Sequence, residues 1–157
     1  MFQARLATFF LAILCCAASS AEARADLACD SSAEASRNLV LSFYNQALVE
    51  KQPLAAFESY VSADFVEHKP DVPNGSRTAV ADFLDGLVKQ LPNAKWEVLR
   101  SVAESNLVFL HVRFTPAPGA PPYAIADLFR IENCKIVEHW DVVGPPRDAQ
   151  PNPNPRF

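Results

Sequence analysis

Glycine is scarce in this sequence: four of the 157 residues are glycine, and none of them falls in a spacing that suits phosphate groups. Loops that hold a nucleotide need closely spaced glycines, because backbone N–H groups must approach the phosphates. Positive charge is also limited, with 14 lysine and arginine residues against 18 acidic residues and no basic run. We therefore expect no cofactor and no nucleic-acid partner for this chain.

Long apolar runs are limited to one, over residues 6–18, which follows the basic start at residues 1–5. Ala-x-Ala sites occur at residues 21–23 and 23–25. The run is too short to span a bilayer, and this order of features is typical of a secretory signal peptide. We interpret residues 1–25 as a cleaved signal peptide. The sequence thus predicts a periplasmic or secreted protein without stable membrane association after cleavage.

Cysteine occurs four times, and two of these residues, Cys15 and Cys16, belong to the predicted signal peptide. Exported proteins fold in an oxidising compartment, where a remaining pair of cysteines commonly forms a bridge. The sequence therefore predicts one disulfide, between Cys29 and Cys134.

The rest of the chain changes once from helical to strand periodicity. Apolar residues recur at helical spacing over about residues 33–50, after Pro53 and after Ser76, which predicts three helices. Residues 64–68 look short and extended. Segments rich in Val, Ile and Phe then predict four strands, at residues 95–104, 107–115, 123–132 and 135–143.

This order predicts an α+β fold, in which residues 26–144 form a curved antiparallel sheet over three N-terminal helices. Residues 145–157 are rich in proline and form a C-terminal tail rather than a second domain. A sheet wrapped over helices makes a cone, and the open mouth of such a cone is a common ligand site.

Histidine occurs three times, at His68, His111 and His139, and two aspartates, Asp127 and Asp141, lie within otherwise apolar predicted strands. Aspartate is depleted from strands, so an aspartate in an apolar strand needs a reason. A carboxylate held away from water can be useful for moving protons. The five residues are scattered without short ligand spacing, which argues against a metal site.

The register of the last hairpin decides whether Asp127, His139 and Asp141 share a face. A two-residue turn at residues 133–134 pairs Asp127 with Trp140, whereas a three-residue loop with a bulge pairs it with His139. The pattern alone does not choose between them. We favour the bulged loop because it avoids setting a glutamate against an aromatic residue, and it places all three residues on one face.

Three segments resemble SnoaL-like polyketide cyclases, which belong to the nuclear transport factor 2-like superfamily with ketosteroid isomerase. The segments are the hairpin over residues 126–143, with its Glu-His-Trp-Asp motif, residues 64–68 before a Pro-rich loop, and residues 104–108 before a strand that carries histidine. The resemblance covers about residues 35–157. It implies the cone fold of this superfamily, whose members have many different functions.

The resemblance also implies roles for particular residues. Asp127 matches the strand aspartate that donates a hydrogen bond to the substrate oxyanion in ketosteroid isomerase. Asp141 matches the general acid/base of the cyclases. The implied chemistry is a cofactor-independent aldol cyclisation or isomerisation of a small apolar carbonyl compound, with Asp141 as the base and Asp127 or His139 stabilising the enolate oxygen. The other predicted ligand contacts are Tyr44, His68, His111, Phe129 and Trp140.

Two alternatives use the same fold without proton transfer. One is a non-catalytic module that binds a small ligand. The other is a dimerisation domain whose pocket is filled by its own side chains, namely Phe129, Trp140 and Phe157. We also expect a homodimer, because an exposed sheet face in this fold commonly pairs with a second copy.

Overall fold

The computed structural model describes residues 30–146 and 151–157. The predicted signal peptide and Cys29 lie outside the described residues. Within the described part of the chain, no helix is long and apolar enough to cross a membrane.

Three helices come first, and each begins where the sequence supplies a suitable residue. Helix α1 covers Ala33–Tyr44, α2 covers Pro53–Tyr60 and α3 covers Arg77–Gln90. The hydroxyls of Ser32 and Ser76 cap α1 and α3 by accepting a backbone N–H from the first turn. Proline opens α2, at a position where no N–H is needed. The three predicted helices are thereby confirmed.

The end of the first helix departs from regular α-helical geometry. The residues Asn45–Val49 form a π-helical turn, with the N–H of Glu50 donating to the carbonyl oxygen of Asn45 at 2.9 Å. Such turns are rare and are often found beside functional sites. Here the turn begins directly after Tyr44, whose side chain is buried.

Five strands form one sheet in the order β1-β5-β4-β3-β2. The four predicted strands are present and pair antiparallel, and the segment expected to be short and extended is a fifth strand, parallel to β5. The predicted α+β fold is confirmed, with a sheet that is mixed because of this edge strand. The strands are β1 Val61–Glu67, β2 Lys95–Glu104, β3 Leu107–Thr115, β4 Tyr123–Glu132 and β5 Lys135–Gly144.

The β4–β5 hairpin has neither of the two registers considered from the sequence. Residues 133–134 form a two-residue turn with positive φ angles of 49° and 55°, which suits a tight hairpin. The extra residue lies in the strand, at Val137, where the register shifts by one. Asp127 therefore pairs with Asp141, and the favoured pairing of Asp127 with His139 is wrong. Even so, Asp127, His139 and Asp141 share the inner face of the sheet.

Register shifts in β1, β2 and β5 give the sheet its curvature. The inner face packs against the helices, with α1 over β2 and β3 and with α2 and α3 beside β1. Aromatic rings fill much of this layer. The ring of Phe43 contacts Phe57 and Phe129 edge to face, with ring centres 5.2 and 6.1 Å apart.

The C-terminal tail folds back on the outer face of the sheet. The guanidinium of Arg156 donates to the carbonyl oxygens of Gly144 at 3.0 Å and Pro145 at 2.8 Å. The ring of Phe157 lies 4.6 Å from the guanidinium carbon of Arg113, an outward-facing residue of β3. The tail thus packs far from the inner face.

Candidate active site

A cavity of about 350 Å³ lies between the helices and the inner face of the sheet. Most of its wall is apolar and is formed by rings and aliphatic chains such as those of Phe57, Phe83 and Leu87. A few polar side chains interrupt this wall, a composition typical of small-molecule sites. These polar residues are Tyr44, Glu67, Lys69, Tyr123, Asp127, His139 and Asp141.

His139 lies between two carboxylates. Its Nδ1 is 2.9 Å from Oε2 of Glu67, and its Nε2 is 3.2 Å from Oδ1 of Asp127. Burial by itself lowers the pKa of His139, but the hydrogen bonds to Asp127 and Glu67 and the charges of both outweigh burial and raise the pKa to about 9. At neutral pH the ring is therefore an imidazolium that donates both N–H groups to carboxylates. We call Glu67, His139 and Asp127 the charged layer.

Asp141 has a cation of its own. The ammonium of Lys69 lies 2.7 Å from Oδ2 of Asp141 and 3.6 Å from Asp71. Burial lowers the pKa of Lys69, but the hydrogen bond and charge of Asp141 outweigh it and raise that pKa above its usual value. The second carboxylate oxygen of Asp141, Oδ1, accepts no hydrogen bond from the part of the chain that the structure describes. This oxygen is available to a ligand in the cavity.

Asp127 lies directly across from Asp141 on the neighbouring strand. Its Oδ1 contacts His139, whereas its Oδ2 is buried and has no hydrogen-bond partner among residues 30–146 and 151–157. The hydroxyl of Tyr44 is nearby: burial, together with the charge of Asp127 and a hydrogen bond to it, raises the pKa of Tyr44 well above its usual value. Tyr44 therefore stays protonated and remains a hydrogen-bond donor.

The structure brings several predicted site residues together. Asp127, His139 and Asp141 all line the cavity, and so do Tyr44 and Phe129. No group of three or more His, Cys, Asp or Glu side chains in the described chain is arranged to hold a metal ion.

Two predicted ligand contacts are wrong: Trp140 on β5 and His68, which follows β1, do not line the cavity. Trp140 lies between His139 and Asp141 in a strand, so alternation points its side chain outward. On the outer face it stacks on the ring of His68, with ring centres 4.7 Å apart and planes 5° from parallel.

The prediction for His111 is wrong for the same reason. Its neighbours Leu110 and Val112 are completely buried on the inner side of β3, so His111 faces outward. There its Nδ1 lies 2.9 Å from the guanidinium of Arg100, and its ring lies beside Phe157 of the tail.

Three polar residues of the cavity, Glu67, Lys69 and Tyr123, were missed from the sequence. Glu67 was detectable, since alternation from the buried Phe65 places it inward. Its Oε1 also accepts the backbone N–H of Lys69 at 2.9 Å, which links the charged layer to the loop after β1. Lys69 follows the strand, and no periodicity indicated where its ammonium would lie.

The α+β cone is the fold of solved structures described as NTF2-like. Residues 40–139 match the SnoaL-like domain family, and the chain belongs to that family. No curated protein matches the sequence.

Solved structures share the fold at low sequence identity. AclR from Streptomyces galilaeus, a hydroxylase candidate, is 22% identical with a TM-score of 0.61, over 72% of this chain and 91% of its own. A polyketide cyclase candidate from Acidithiobacillus ferrooxidans is 14% identical with a TM-score of 0.59, over 69% and 87%. An NTF2-like protein of unknown function from Cytophaga hutchinsonii is 21% identical with a TM-score of 0.57, over 70% and 90%. These likenesses establish the fold and leave the reaction to the site.

Proposed function

We propose that this protein is a cofactor-independent acid/base catalyst that removes a proton next to the carbonyl group of a small apolar compound, as in an aldol cyclisation or an isomerisation. One observation carries the proposal. One carboxylate oxygen of Asp141, in a largely apolar cavity, accepts no hydrogen bond from residues 30–146 and 151–157, while the other oxygen of the same group is held by the ammonium of Lys69.

Asp141 is the base in this proposal. The ion pair with Lys69 orients its carboxylate and leaves Oδ1 to accept a proton from a ligand within hydrogen-bond distance. Asp127 faces Asp141 directly, and two like charges in that position repel each other. Lys69 lies beside Asp141 and His139 lies beside Asp127, so each of the two carboxylates has a cationic partner.

The enolate oxygen needs a donor, and the geometry favours a different one from that expected from the sequence. Both N–H groups of His139 are already donated to carboxylates, and Asp127 accepts one of them. Lys69 and Tyr123 are the donors that remain, since both line the cavity, whereas the hydroxyl of Tyr44 is hydrogen-bonded to Asp127. A well-placed donor contributes about 3 kcal/mol to lowering such a barrier.

The test is proton exchange next to a carbonyl group. We expect the protein to accelerate deuterium incorporation into α-tetralone in D₂O, followed by proton NMR. The variant Asp141→Asn should fold and should lose about 100-fold or more of this acceleration, because it removes the base.

A matched control is available on α3. Asp85 also pairs with a lysine, Lys89, but lies outside the cavity lining, so Asp85→Asn should leave exchange unchanged. Exchange by Asp141→Asn at the wild-type rate would contradict the assigned role. A protein that binds carbonyl compounds and accelerates exchange in none of them would be a ligand-binding module.

The third hypothesis, a scaffold with a self-filled pocket, receives less support. It requires Phe129, Trp140 and Phe157 to fill the cavity. Phe129 lines the cavity, but Trp140 and Phe157 pack on the outer face of the sheet.

We also propose export after cleavage of residues 1–25, with a Cys29–Cys134 disulfide in the mature protein. The position of Cys134 supports the bridge, since its Sγ lies 3.8 Å from the carbonyl oxygen of Asp30, the neighbour of Cys29 in the chain. Thiol labelling of the exported protein should find no reactive cysteine before reduction and two afterwards. Labelling of both without reduction would refute the bridge.

We further propose a homodimer through the outer face of the sheet. Val102, Val142 and Phe109 are exposed there to 62%, 72% and 39%. Exposed apolar surface of this kind favours association. Sedimentation should give a dimer for the wild-type protein and a monomer for Val142→Asp.

A further inference from the structure

We infer that the C-terminal residues Arg156 and Phe157 are positioning residues for the site. Seated on the outer face of the sheet, they hold the end of β5 that carries Asp141 on its inner face. The inference rests on the proposed function, because it concerns the residue that we assign as the base. It goes further by giving the C-terminal tail a role and by explaining what keeps the last strand in place beside the cavity.

The end of β5 after His139 lacks a neighbouring strand on one of its sides. β1 runs beside β5 as far as the pair of Glu67 and His139, and the backbone N–H of His68 then donates to the carbonyl oxygen of His139 at 3.0 Å. Beyond that point, residues 140–144 pair with β4 alone in the part of the chain that the structure describes. Strand ends with few packed neighbours open more readily than central strands. Asp141 therefore lies on the less supported half of its strand.

Exposure to water differs between the two ends of β5 in the same sense. Val142 is 72% exposed, and Val143, which also lines the cavity, is 39% exposed. By contrast, Ile136, which lies between β1 and β4 at the other end of the strand, is 1% exposed. The end that carries the proposed base therefore depends on support from outside the sheet.

Arg156 supplies that support. Its Nη2 donates to the carbonyl oxygen of Gly144, the last residue of β5, at 3.0 Å, and its Nη1 donates to that of Pro145 at 2.8 Å. A planar guanidinium can bond to two neighbouring carbonyls at once. Residue 144 has no side chain, and a Cβ there would collide with Nη2 of Arg156. The glycine thus makes room for the guanidinium at the end of the strand.

Phe157 fixes the position of the guanidinium along the sheet. Its ring lies 4.6 Å from the guanidinium carbon of Arg113, a distance that suits a cation–π contact. The same ring lies nearly parallel to that of His111, with centres 6.0 Å apart and planes 17° apart, and His111 is itself held by Arg100. The last two residues of the chain thus join the end of β5 to β3, two strands away.

The experiment measures amide hydrogen exchange along β5 by NMR in the wild-type protein and in Arg156→Ala. Without the guanidinium, the amides of residues 141–144 should exchange at least tenfold faster, because this end of the strand opens more often. The amides of residues 136–138, which lie between β1 and β4, should keep their wild-type rates and serve as an internal control.

Two further variants test the seat of the guanidinium. Gly144→Ala places a methyl group where Nη2 lies and should reproduce the effect of Arg156→Ala, and the double variant should exchange no faster than either single variant. Arg77→Ala is the matched control, since Arg77 also donates to a strand carbonyl, that of Val61 at 3.3 Å, but does so on β1. It should leave amide exchange at residues 141–144 unchanged.

A second readout separates positioning from stability alone. In the assay of deuterium incorporation into α-tetralone, Arg156→Ala should lower kcat about tenfold and change KM less than twofold, because the base is held less well while the apolar wall on the helices is unaltered. Phe157→Ala should lower kcat in the same way. Phe157→Tyr keeps a ring over Arg113 and should retain the wild-type kcat.

Unchanged amide exchange at residues 141–144 in Arg156→Ala would overturn the inference. Equal acceleration at both ends of β5 would also overturn it, because it would indicate a loss of global stability. A loosened strand end with an unchanged kcat would show that the tail does not position the base. If the wild-type protein incorporates no deuterium into carbonyl compounds, the proposed function fails, and faster amide exchange confined to residues 141–144 would still support the hold of the tail on β5.

Discussion

Two histidine–carboxylate pairs lie on opposite faces of strand β5 and differ in their exposure to water. On the inner face, the side chain of His139 is 14% exposed and contacts Glu67 and Asp127. On the outer face, the side chain of His68 is 40% exposed and contacts Glu138 at 2.8 Å. The carboxylates of Glu67 and Glu138 are exposed to 2% and 19%.

The comparison shows how burial changes the energy of an ion pair when the residue types stay the same. Both pairs consist of an imidazole and a glutamate within hydrogen-bond distance. Between exposed groups, water and salt screen the attraction, and such pairs contribute little to stability. Between buried groups the attraction is strong, but the loss of hydration is also large, so removing one partner leaves an expensive uncompensated charge. The inner pair should therefore dominate the response of this protein to mutation and pH.

The largest expected effect comes from Glu67→Ala. This change leaves the imidazolium of His139 buried with one carboxylate instead of two, and it should lower the free energy of unfolding by on the order of 3–5 kcal/mol. Urea denaturation measures the loss. Glu67→Gln retains an acceptor of the same shape and should cost less. A loss below about 1 kcal/mol for the alanine variant would mean that the inner pair behaves like a surface pair.

The next effect is a loss of stability at high pH. The pKa of His139 rises from 6.5 to about 9 in the folded protein, so folding favours the protonated ring. Its contribution is complete below pH 6.5 and is lost as the pH rises through 9. Denaturation at a series of pH values should show a decline on the order of 3 kcal/mol over this window.

Glu67→Gln provides the control for this pH effect. Removing the negative charge of Glu67 lowers the pKa of His139, so the decline should become smaller and begin at lower pH. NMR titration of the His139 ring carbons measures that pKa directly. A His139 ring that is neutral at pH 7.5 in the wild-type protein would be inconsistent with the charged layer.

The smallest effect is expected on the outer face. The pKa of Glu138 is lowered by its hydrogen bonds to His68 and Arg130, yet these groups are accessible to water. Glu138→Gln should cost less than about 1 kcal/mol, and added salt should reduce the difference further. A cost equal to that of Glu67→Ala would remove the contrast between the two faces.

The elements of the fold were predictable because their signals are local. Capping serines, a proline at a helix start and a change of period located the helices and strands. The four predicted strands end within one residue of the observed ones, with β5 extending to Gly144. The parallel pairing that makes the sheet mixed was harder to predict. No local pattern indicates that residues 61–67 pair with a strand more than seventy residues later in the chain.

The site was predictable in part. Asp127 and Asp141 were detectable as acidic residues in apolar strands, and the bulge at Val137 allowed them to share a face with His139. The position of that bulge could not be derived, because one extra residue fits the pattern equally well in the turn or in the strand. Lys69 could not be placed either, since it lies in a loop whose path depends on the whole fold.

Glu67 accepts hydrogen bonds from both the backbone of Lys69 and the ring of His139. A single side chain therefore connects the loop that supplies the cation with the histidine that stores a proton. For protein engineering, this means that grafting a new loop onto β1 changes the charged groups of the cavity as well as its shape. Libraries that vary residues 72–75 and retain Glu67, Lys69 and Asp71 would change the shape and keep these charges in place.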